Sequence, residues 1–222
     1  MIKKTAKRIL RGPVNRWKFR AYLKGGGPKK LNLGCGGNIM QGWLNCDLDY
    51  SRATAYMDLT RAFPLPDKSF DIVFAEHVIE HLGLAEFKGF LRETARVLKP
   101  GGVVRLATPD LDFYLSLSSG EETEDKRSFK AWLAKRKGVP DDGLIPVYAV
   151  NFMFEHGHRF VFNEPFLRSC LVEAGFGGVR RFRAGESDNP DLAGVEGHGK
   201  VPDVGEAVNA METLVLEARL AV

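Results

Sequence analysis

The 222-residue sequence predicts an α/β protein built on a mostly parallel sheet with helices on both faces. From Lys30 onward, short apolar runs typical of buried strands alternate with segments of helical spacing, and this alternation favours a parallel sheet. A second indication is that residues 31–33 lead directly into a glycine-rich turn at 34–37, as strands do at a ligand-binding edge. The length suits a single domain with an insertion, whose core needs no disulfide or metal.

The order of the elements follows from the hydrophobic spacing and from the residues that end helices. A helix is predicted at 84–98 and is ended by the Pro-Gly-Gly run at 100–102. A second helix begins after Asn163, which is a capping residue followed by an early proline, and ends at Gly175. Residues 112–157 break the alternation and are interpreted as an insertion with a charged helix around 121–137. Strands are predicted at 31–33, 43–48, 70–75, 103–107, 179–183 and 213–219, with a long loop rich in Gly, Asp and Pro between the last two.

The charge is distributed unevenly along the chain. Residues 1–30 hold 11 of the 32 Lys and Arg and no Asp or Glu, so the remainder carries a net charge of −7. We therefore divide the chain into a basic N-terminal arm, 1–27, in which Pro13 separates two short helical pieces, and one domain, 28–222. Three interpretations of the arm remain open, namely a solvated extension, an anchor on anionic lipid through residues 1–24, and a nucleic-acid contact. The acidic body argues against a broad nucleic-acid surface.

The cysteines and the hydropathy pattern predict a cytoplasmic protein, peripheral at the membrane if the arm is an anchor. Cys35, Cys46 and Cys170 form no CxxC pair and are odd in number, which favours reduced thiols. No apolar run approaches the roughly 20 residues of a membrane span, and the N-terminus lacks the apolar core of a signal peptide.

The glycine turn and the acidic residue that follows it predict a nucleoside site. Glycines let the backbone approach a ligand closely, and Asp47, at the tip of the second strand, can accept hydrogen bonds from a ribose diol. The dinucleotide fingerprint needs a third glycine and an acid about 20 residues on, whereas Asp47 follows Gly34 by only 13. A nicotinamide enzyme would also need a hydride-site pair such as Tyr-x-x-x-Lys, but Tyr148 is followed at that spacing by Phe152.

Several ordered motifs carry a resemblance to a known family. They read Leu-Asn-Leu-Gly-Cys-Gly-Gly at 31–37, Asp-Leu at 58–59, Leu-Pro-Asp-Lys-Ser-Phe-Asp-Ile-Val at 65–73, Glu-His-Val-Ile-Glu-His-Leu at 76–82 and Arg-Val-Leu-Lys-Pro-Gly-Gly at 96–102. Over residues 30–110 the chain resembles the class I S-adenosylmethionine (SAM)-dependent methyltransferases. The short link between Gly37 and Asp47 is similar to a subgroup of small methyltransferases with sequences of the Gly-Trp-x-Asn-x-Asp type.

The resemblance implies a fold, a cofactor and a set of binding residues. The fold would be a Rossmann-like, mostly parallel seven-stranded sheet with an antiparallel last strand, and the cofactor would be SAM. Asp47 would bind the ribose, and Asp58 with Leu59 would contact adenine. Asn32 stands where many members have an aspartate near the methionine ammonium. The expected cofactor-binding residues are Gly34, Cys35, Gly36, Gly37, Asn38, Asp47, Leu48, Asp58, Leu59, Glu76 and His77.

Three residues are candidates for the catalytic step, and no metal is expected. His77 follows the strand at 70–75 and is a candidate general base, although it could simply line the cofactor pocket. Asp110 could orient an acceptor hydroxyl or cap a helix. His158 lies in an aromatic and histidine-rich segment that could cover the acceptor or simply cap the sheet. Glu155, His156 and His158 lack the spacing of a zinc motif, and His198 is remote in sequence.

The function predicted from these features is methyl transfer from SAM to a small molecule or to a glycan or lipid-linked precursor, with oxygen as the candidate acceptor atom. Two alternatives remain open, a nicotinamide-dependent oxidoreductase of related fold and a non-catalytic binding protein that docks through its basic arm. The acceptor itself is not indicated by any motif.

Overall fold

The computed structural model describes residues 16–48, 55–140, 143–201 and 204–222, and shows a seven-stranded sheet of order β3-β2-β1-β4-β5-β7-β6. All pairings among β1 to β5 are parallel, and β7 is antiparallel to both of its neighbours, β5 and β6. The predicted fold class is therefore confirmed. The strands are β1 Lys30–Leu33, β2 Leu44–Asp47, β3 Ala55–Tyr56, β4 Phe70–Glu76, β5 Leu98–Pro109, β6 Phe176–Phe182 and β7 Thr213–Leu220.

The helices begin and end close to the capping signals in the sequence. Asn163 accepts a hydrogen bond from the Phe166 amide at 3.2 Å and caps its helix as predicted. Among the described residues, no helix is both long enough and apolar enough to cross a membrane. The helices are α1, described over 16–24, α2 Leu84–Val97, α3 Leu111–Ser116, α4 Glu124–Lys137, α5 Ile145–Glu155, α6 Glu164–Glu173 and α7 Gly205–Glu212, with 3₁₀ turns at Ile79–His81 and His198–Lys200.

One face of the sheet carries the main hydrophobic core, covered by α1, α2 and α6. Side chains that alternate along the central strands point to this face, as a pleated strand requires. They meet Phe19 of α1, Phe87 and Phe90 of α2, and Leu167 of α6. At roughly 25 cal/mol per Å² of apolar surface, this burial is the main source of stability.

Helix α1 belongs to the domain, although the sequence placed it in a separate arm. Phe19 is buried, and Tyr22 stacks on Phe70 with ring centroids 6.3 Å apart while its hydroxyl bonds the Lys30 carbonyl at 2.8 Å. The first packed element thus precedes the predicted boundary at residue 27. Residues 1–15, with the break predicted at Pro13, lie outside the described residues, and the predicted membrane contact of residues 1–24 stays a prediction.

The opposite face of the sheet is covered by a loop. Trp43, Ile72, Phe74 and Val103 pack against Leu192 and Val195, which belong to the segment between β6 and η2, the 3₁₀ turn at His198–Lys200. We call residues 183–201 the covering loop. Helices therefore pack on the first face, and the covering loop takes their place in this part of the second face.

A single side chain stabilises the short link between β1 and β2. Asn45 accepts from the Met40 amide at 3.0 Å and donates to the Met40 carbonyl at 2.8 Å, which closes the link as a compact loop. Asn45 also accepts from Asn32 at 2.9 Å, and Asn32 donates to the Asn38 carbonyl at 2.8 Å. The two buried amides thus hold the glycine turn in place where a longer link would use a helix.

The predicted insertion is a small helical layer at the carboxyl end of β5. Helices α3, α4, α5 and α7 surround Phe129, which is fully buried, and α3 follows Pro109 at the end of β5. Helix α7 was not predicted, because residues 205–212 fell in the segment interpreted as a polar loop. Its buried Val208 packs into the helical layer.

Candidate active site

The glycine turn after β1 has the conformation that its sequence predicts. Gly34 and Gly36 have φ of 65° and 48°, a region that side chains rarely adopt. A Cβ on Gly34 would lie 2.3 Å from Val78 Cγ2. Gly34 is therefore required both by its backbone conformation and by close packing, and the turn exposes its backbone to the neighbouring space.

Asp47 ends β2 beside this turn. Its carboxylate accepts a hydrogen bond from the Gly36 amide at 2.8 Å, so the acid and the glycine turn form one unit. Leu48 follows and is 59% exposed at the rim. Cys35 lies within the turn, where burial and the charge of Asp47 raise the pKa of its thiol to about 12. Cys35 is therefore a neutral lining residue and not a nucleophile.

The covering loop closes over the glycine turn through Glu76, at the end of β4. Glu76 accepts hydrogen bonds from the amides of Gly197 and His198 at 2.8 and 2.9 Å. Asn38 donates to the Val195 carbonyl at 2.8 Å and makes a second contact between the turn and the loop. Burial raises the pKa of Glu76, and the two amide bonds oppose that rise. Glu76 and Asn38, both expected to bind cofactor, thus position the loop over the cleft.

A cleft of about 490 Å³ lies between the glycine turn and the covering loop. Its volume falls within the ~300–1,000 Å³ range of small-molecule sites. It is lined by Gly34, Cys35, Gly36, Gly37, Asn38, Glu76, His77, Gly197, His198, Lys200 and Val201. Seven of these eleven were expected from the sequence to bind the cofactor.

Asp58 and Leu59, the expected adenine contacts, lie after β3 and do not line this cleft. Asp58 accepts hydrogen bonds from the amide and hydroxyl of Thr60 and pairs with Arg61 at 3.0 Å. Leu59 is buried in the core. Their contact with adenine stays a prediction, and residues 49–54, between β2 and β3, lie outside the described part of the chain.

His77 projects from the end of β4 with a strained backbone. Its φ is 48°, uncommon for a residue with a side chain, and its amide donates to the Ala107 carbonyl at 2.9 Å. Nδ1 lies 3.1 Å from an oxygen of Glu80, which is fully buried and also accepts from the Thr108 hydroxyl at 3.0 Å. Nε2 is buried and has no hydrogen-bond partner in the part of the chain that the structure describes. Glu80 therefore fixes the ring and leaves Nε2 directed away from it.

The charge state of His77 follows from the carboxylates around it. Burial lowers the pKa of His77, but the hydrogen bond and charge of Glu80, with Glu212 and Glu76 adding to them, raise it to about 9. Two fully buried carboxylates, Glu80 and Glu212, thus favour a positive charge at this ring. A protonated His77 cannot accept a proton, so its predicted role as a general base requires that this proton first be lost.

A second cavity, of about 290 Å³, adjoins the cleft. His77 and His198 line both spaces, with ring centroids 3.9 Å apart. The rest of its wall is largely aromatic and includes Tyr114, Trp132 and Phe152. The chain has five histidines, and all five line this cavity: His77, His81, His156, His158 and His198.

Two of these histidines are neutral at pH 7. Burial lowers the pKa of His158 to about 4, and burial together with the charge of His77 lowers that of His198 to about 4. His158 Nδ1 is buried and has no hydrogen-bond partner among the described residues. His158, a predicted catalytic residue, is therefore a neutral residue of the cavity wall.

Asp110 does not lie where the sequence suggested. One of its oxygens caps α3 by accepting from the Asp112 amide at 3.1 Å, and the other pairs with Arg181 at 2.7 Å. Asp110 is buried and lines neither the cleft nor the second cavity. The expectation that it orients an acceptor is corrected, because both oxygens are occupied by structural partners.

The site also contains residues that sequence reasoning missed. Glu80, Glu212, Tyr114 and Lys200 reach it from four separate elements. Glu80 is part of the motif at 76–82, so its helical offset of three from His77 was a usable signal. Glu212 and Tyr114 had no such signal, because Glu212 ends α7 and Tyr114 lies in α3, and both helices are outside the motif at 76–82.

Comparison with known proteins gives matches to methyltransferases, the family that the sequence motifs resemble. A family model described as a methyltransferase domain matches residues 51–106. A probable S-adenosylmethionine-dependent methyltransferase from Mycolicibacterium smegmatis is 43% identical over 60 residues, which are 27% of this chain and 21% of that protein. This chain thus aligns with about a fifth of the length of the curated relative.

Solved structures show the same fold. A SAM-dependent methyltransferase from Archaeoglobus fulgidus superposes with a TM-score of 0.52 at 15% identity, and the match covers 96% of this chain and 93% of that protein. A SAM-dependent methyltransferase from Mesorhizobium loti superposes with a TM-score of 0.51 at 18% identity, and the match covers 91% of this chain and 95% of that protein. These likenesses show that the chain has the fold of the SAM-dependent methyltransferases, and over part of its length its sequence is similar to theirs.

Proposed function

We propose that this protein transfers the methyl group of SAM to a hydroxyl of a small molecule held in the histidine-lined cavity. The observation that carries the proposal is the junction of two spaces at His77 and His198. The cleft at the glycine turn suits the cofactor, and the cavity of about 290 Å³ suits a small acceptor or the reactive end of a glycan or lipid-linked precursor. The aromatic wall favours an acceptor with an apolar body.

In this reaction the main task of the protein is to position the two reactants. The acceptor oxygen attacks the methyl carbon as the carbon–sulfur bond breaks, the sulfur keeps the electron pair, and the hydroxyl proton leaves. The sulfonium supplies the driving force, so alignment and proton removal are the tasks that remain. His77 and His158, predicted as catalytic from the sequence, stay candidates for receiving that proton, and the unpartnered Nδ1 of His158 supports the second.

The proposal is tested by supplying SAM with a labelled methyl group and a panel of small hydroxylated, amine and thiol compounds. We expect label in hydroxylated compounds with an aromatic or aliphatic body. His156, an exposed residue in the cavity wall, offers a variant, since His156→Trp should narrow the cavity. It should lower acceptor turnover at least tenfold and leave the affinity for S-adenosylhomocysteine within about twofold.

Two results would contradict the proposal. Label found only in amines or thiols would overturn the choice of oxygen. Turnover of a hydroxylated acceptor at the wild-type rate by His156→Trp would show that the acceptor does not enter this cavity.

A further inference from the structure

The convergence of the five histidines is not explained by methyl transfer alone. They come from three separate stretches of sequence, 77–81, 156–158 and 198, and meet in one cavity. Two fully or almost fully buried carboxylates, Glu80 and Glu212, lie among them. A buried carboxylate is costly unless a positive charge compensates it. The histidine and carboxylate groups together are the kind of donor set that holds a metal ion.

We infer that His77 Nε2, a ring nitrogen of His198 and a carboxylate oxygen of Glu212 bind a divalent transition-metal ion of the zinc class. One ligand atom from each of these residues lies within 4.8 Å of the others. Ligands of tetrahedral zinc are about 3.4 Å apart, given bonds near 2.1 Å, so modest side-chain rotation closes the site. Two histidines with one glutamate leave a fourth position open, as catalytic zinc sites do.

The residues behind these ligands are already arranged to hold them. Glu80 bonds Nδ1 of His77 and so leaves Nε2 as the ring nitrogen that can bind an ion. The Tyr114 hydroxyl donates to one oxygen of Glu212 and leaves the other oxygen for an ion. Such carboxylate–histidine and hydroxyl–carboxylate bonds orient metal ligands and fix the ring tautomer.

Ring nitrogens without hydrogen-bond partners among the described residues support the same metal site. His77 Nε2 is buried and lacks a partner, which is rare for a buried polar atom. No hydrogen bond from the described residues reaches the ring of His198. The strained backbone of His77 is consistent with a functional constraint on that ring.

A second group in the same cavity, Glu80 with His81 and His158, is a weaker candidate. Both oxygens of Glu80 are engaged, one by His77 and the other by Thr108. His81 is exposed, and its Nδ1 lies near the Gly157 carbonyl at 3.4 Å. The first group has free ligand atoms, so we assign the ion to His77, His198 and Glu212.

This inference goes beyond methyl transfer and does not depend on it. Its test is binding of Co²⁺ and Zn²⁺ to full-length protein that has been stripped with a chelator and carries no affinity tag. We expect one equivalent of Co²⁺, the visible absorption of a four-coordinate ion, and its displacement by Zn²⁺. Glu212→Gln, which keeps the size of the side chain, and His198→Ala should each weaken binding at least tenfold.

Two histidines of the same cavity serve as controls. His156→Ala and His81→Ala should bind Co²⁺ within about twofold of the wild type. Thermal melting and binding of S-adenosylhomocysteine establish that each variant is folded. If Glu212→Gln loses the ion but still binds S-adenosylhomocysteine, the metal site is tested separately from the cofactor cleft of the proposed function.

Three outcomes would overturn the assignment. They are the absence of one-equivalent binding by the wild type, unchanged affinity in both folded ligand variants, and a loss in His81→Ala that equals the loss in His198→Ala. The last would place the ion in the second group.

Discussion

At the scale of single residues, the proposed cofactor site depends on a few residues that are uncommonly constrained. Gly34 combines a positive φ with van der Waals contact to Val78. Asn45 and Asn32 replace a helix as the support of the turn. Asn32, which the resemblance placed near the methionine ammonium, is buried and bonds the backbone of Asn38, so its contribution to the cofactor site is to hold the turn.

Gly34→Ala tests the constraint on the turn. A Cβ at this position meets Val78 Cγ2 at 2.3 Å and imposes a strained φ, so we expect the free energy of unfolding to fall by about 1–3 kcal/mol. Binding of S-adenosylhomocysteine should also weaken at least tenfold. Urea denaturation followed by fluorescence, with calorimetry for binding, measures both effects.

Gly37→Ala is the matched control. Gly37 lies in the same turn, has no positive φ and has no heavy atom within 4 Å of an added Cβ. Its free energy of unfolding should stay within about 0.5 kcal/mol of the wild type. Equal destabilisation by the two substitutions would show that the close contact at Gly34 does not matter.

At the scale of elements, the covering loop decides the shape of the site. Arg105 is fully buried on the second face of the sheet, donates to the Glu186 carbonyl at 2.9 Å near the start of the loop, and pairs with Glu196 at 2.6 Å and with Glu217 of β7 at 2.5 Å. Directly after Glu196, the amides of Gly197 and His198 donate to Glu76. The buried ion pairs therefore bring His198 to the junction of cleft and cavity.

Arg105→Leu tests this anchoring. Removing the cation leaves two buried carboxylates without a compensating positive charge, and breaking such a buried pair costs about 3–5 kcal/mol. We expect a loss of that size in the free energy of unfolding, measured by urea denaturation at pH 7. Cofactor binding should weaken as well, because the loop that carries His198 loses its support.

The control for this substitution lies on β6, which β7 separates from β5. Arg180 pairs with Asp188 of the same loop, but both side chains are more than 60% exposed. Surface pairs contribute at most about 1 kcal/mol, so Arg180→Leu should have a small effect. If both substitutions cost the same, the buried network does not anchor the loop.

Most elements could be predicted from sequence, and the failures have identifiable causes. β4 and α2 were predicted within a residue or two because their hydrophobic periods are clear. Helix α7 was missed because it is only eight residues long and follows a segment rich in Gly, Asp and Pro. α1 was assigned to an arm because its positive charges hid Phe19 and Tyr22, which pack on the core.

At the scale of the whole molecule, the parallel strands bring their carboxyl ends to one edge, and the site forms there. The glycine turn follows β1, Asp47 ends β2 and His77 follows β4. The sequence predicted this part because each of these residues lies at the carboxyl end of a recognisable strand. The histidine-lined cavity, which we propose holds the acceptor, could not be predicted, since its wall joins Tyr114, Phe152, His198 and Glu212 from elements far apart in the chain.

The most direct test of the account is calorimetric titration of the full chain with S-adenosylhomocysteine and, separately, with NADH. Wild type should bind the first ligand in one equivalent and should not bind the second. Asp47→Ala should lose at least tenfold in affinity, because the ribose diol loses its acceptor, whereas Asp188→Ala, at an exposed acid of the covering loop, should bind normally. Binding of NADH without S-adenosylhomocysteine, or full affinity in Asp47→Ala, would contradict the assignment of this cleft.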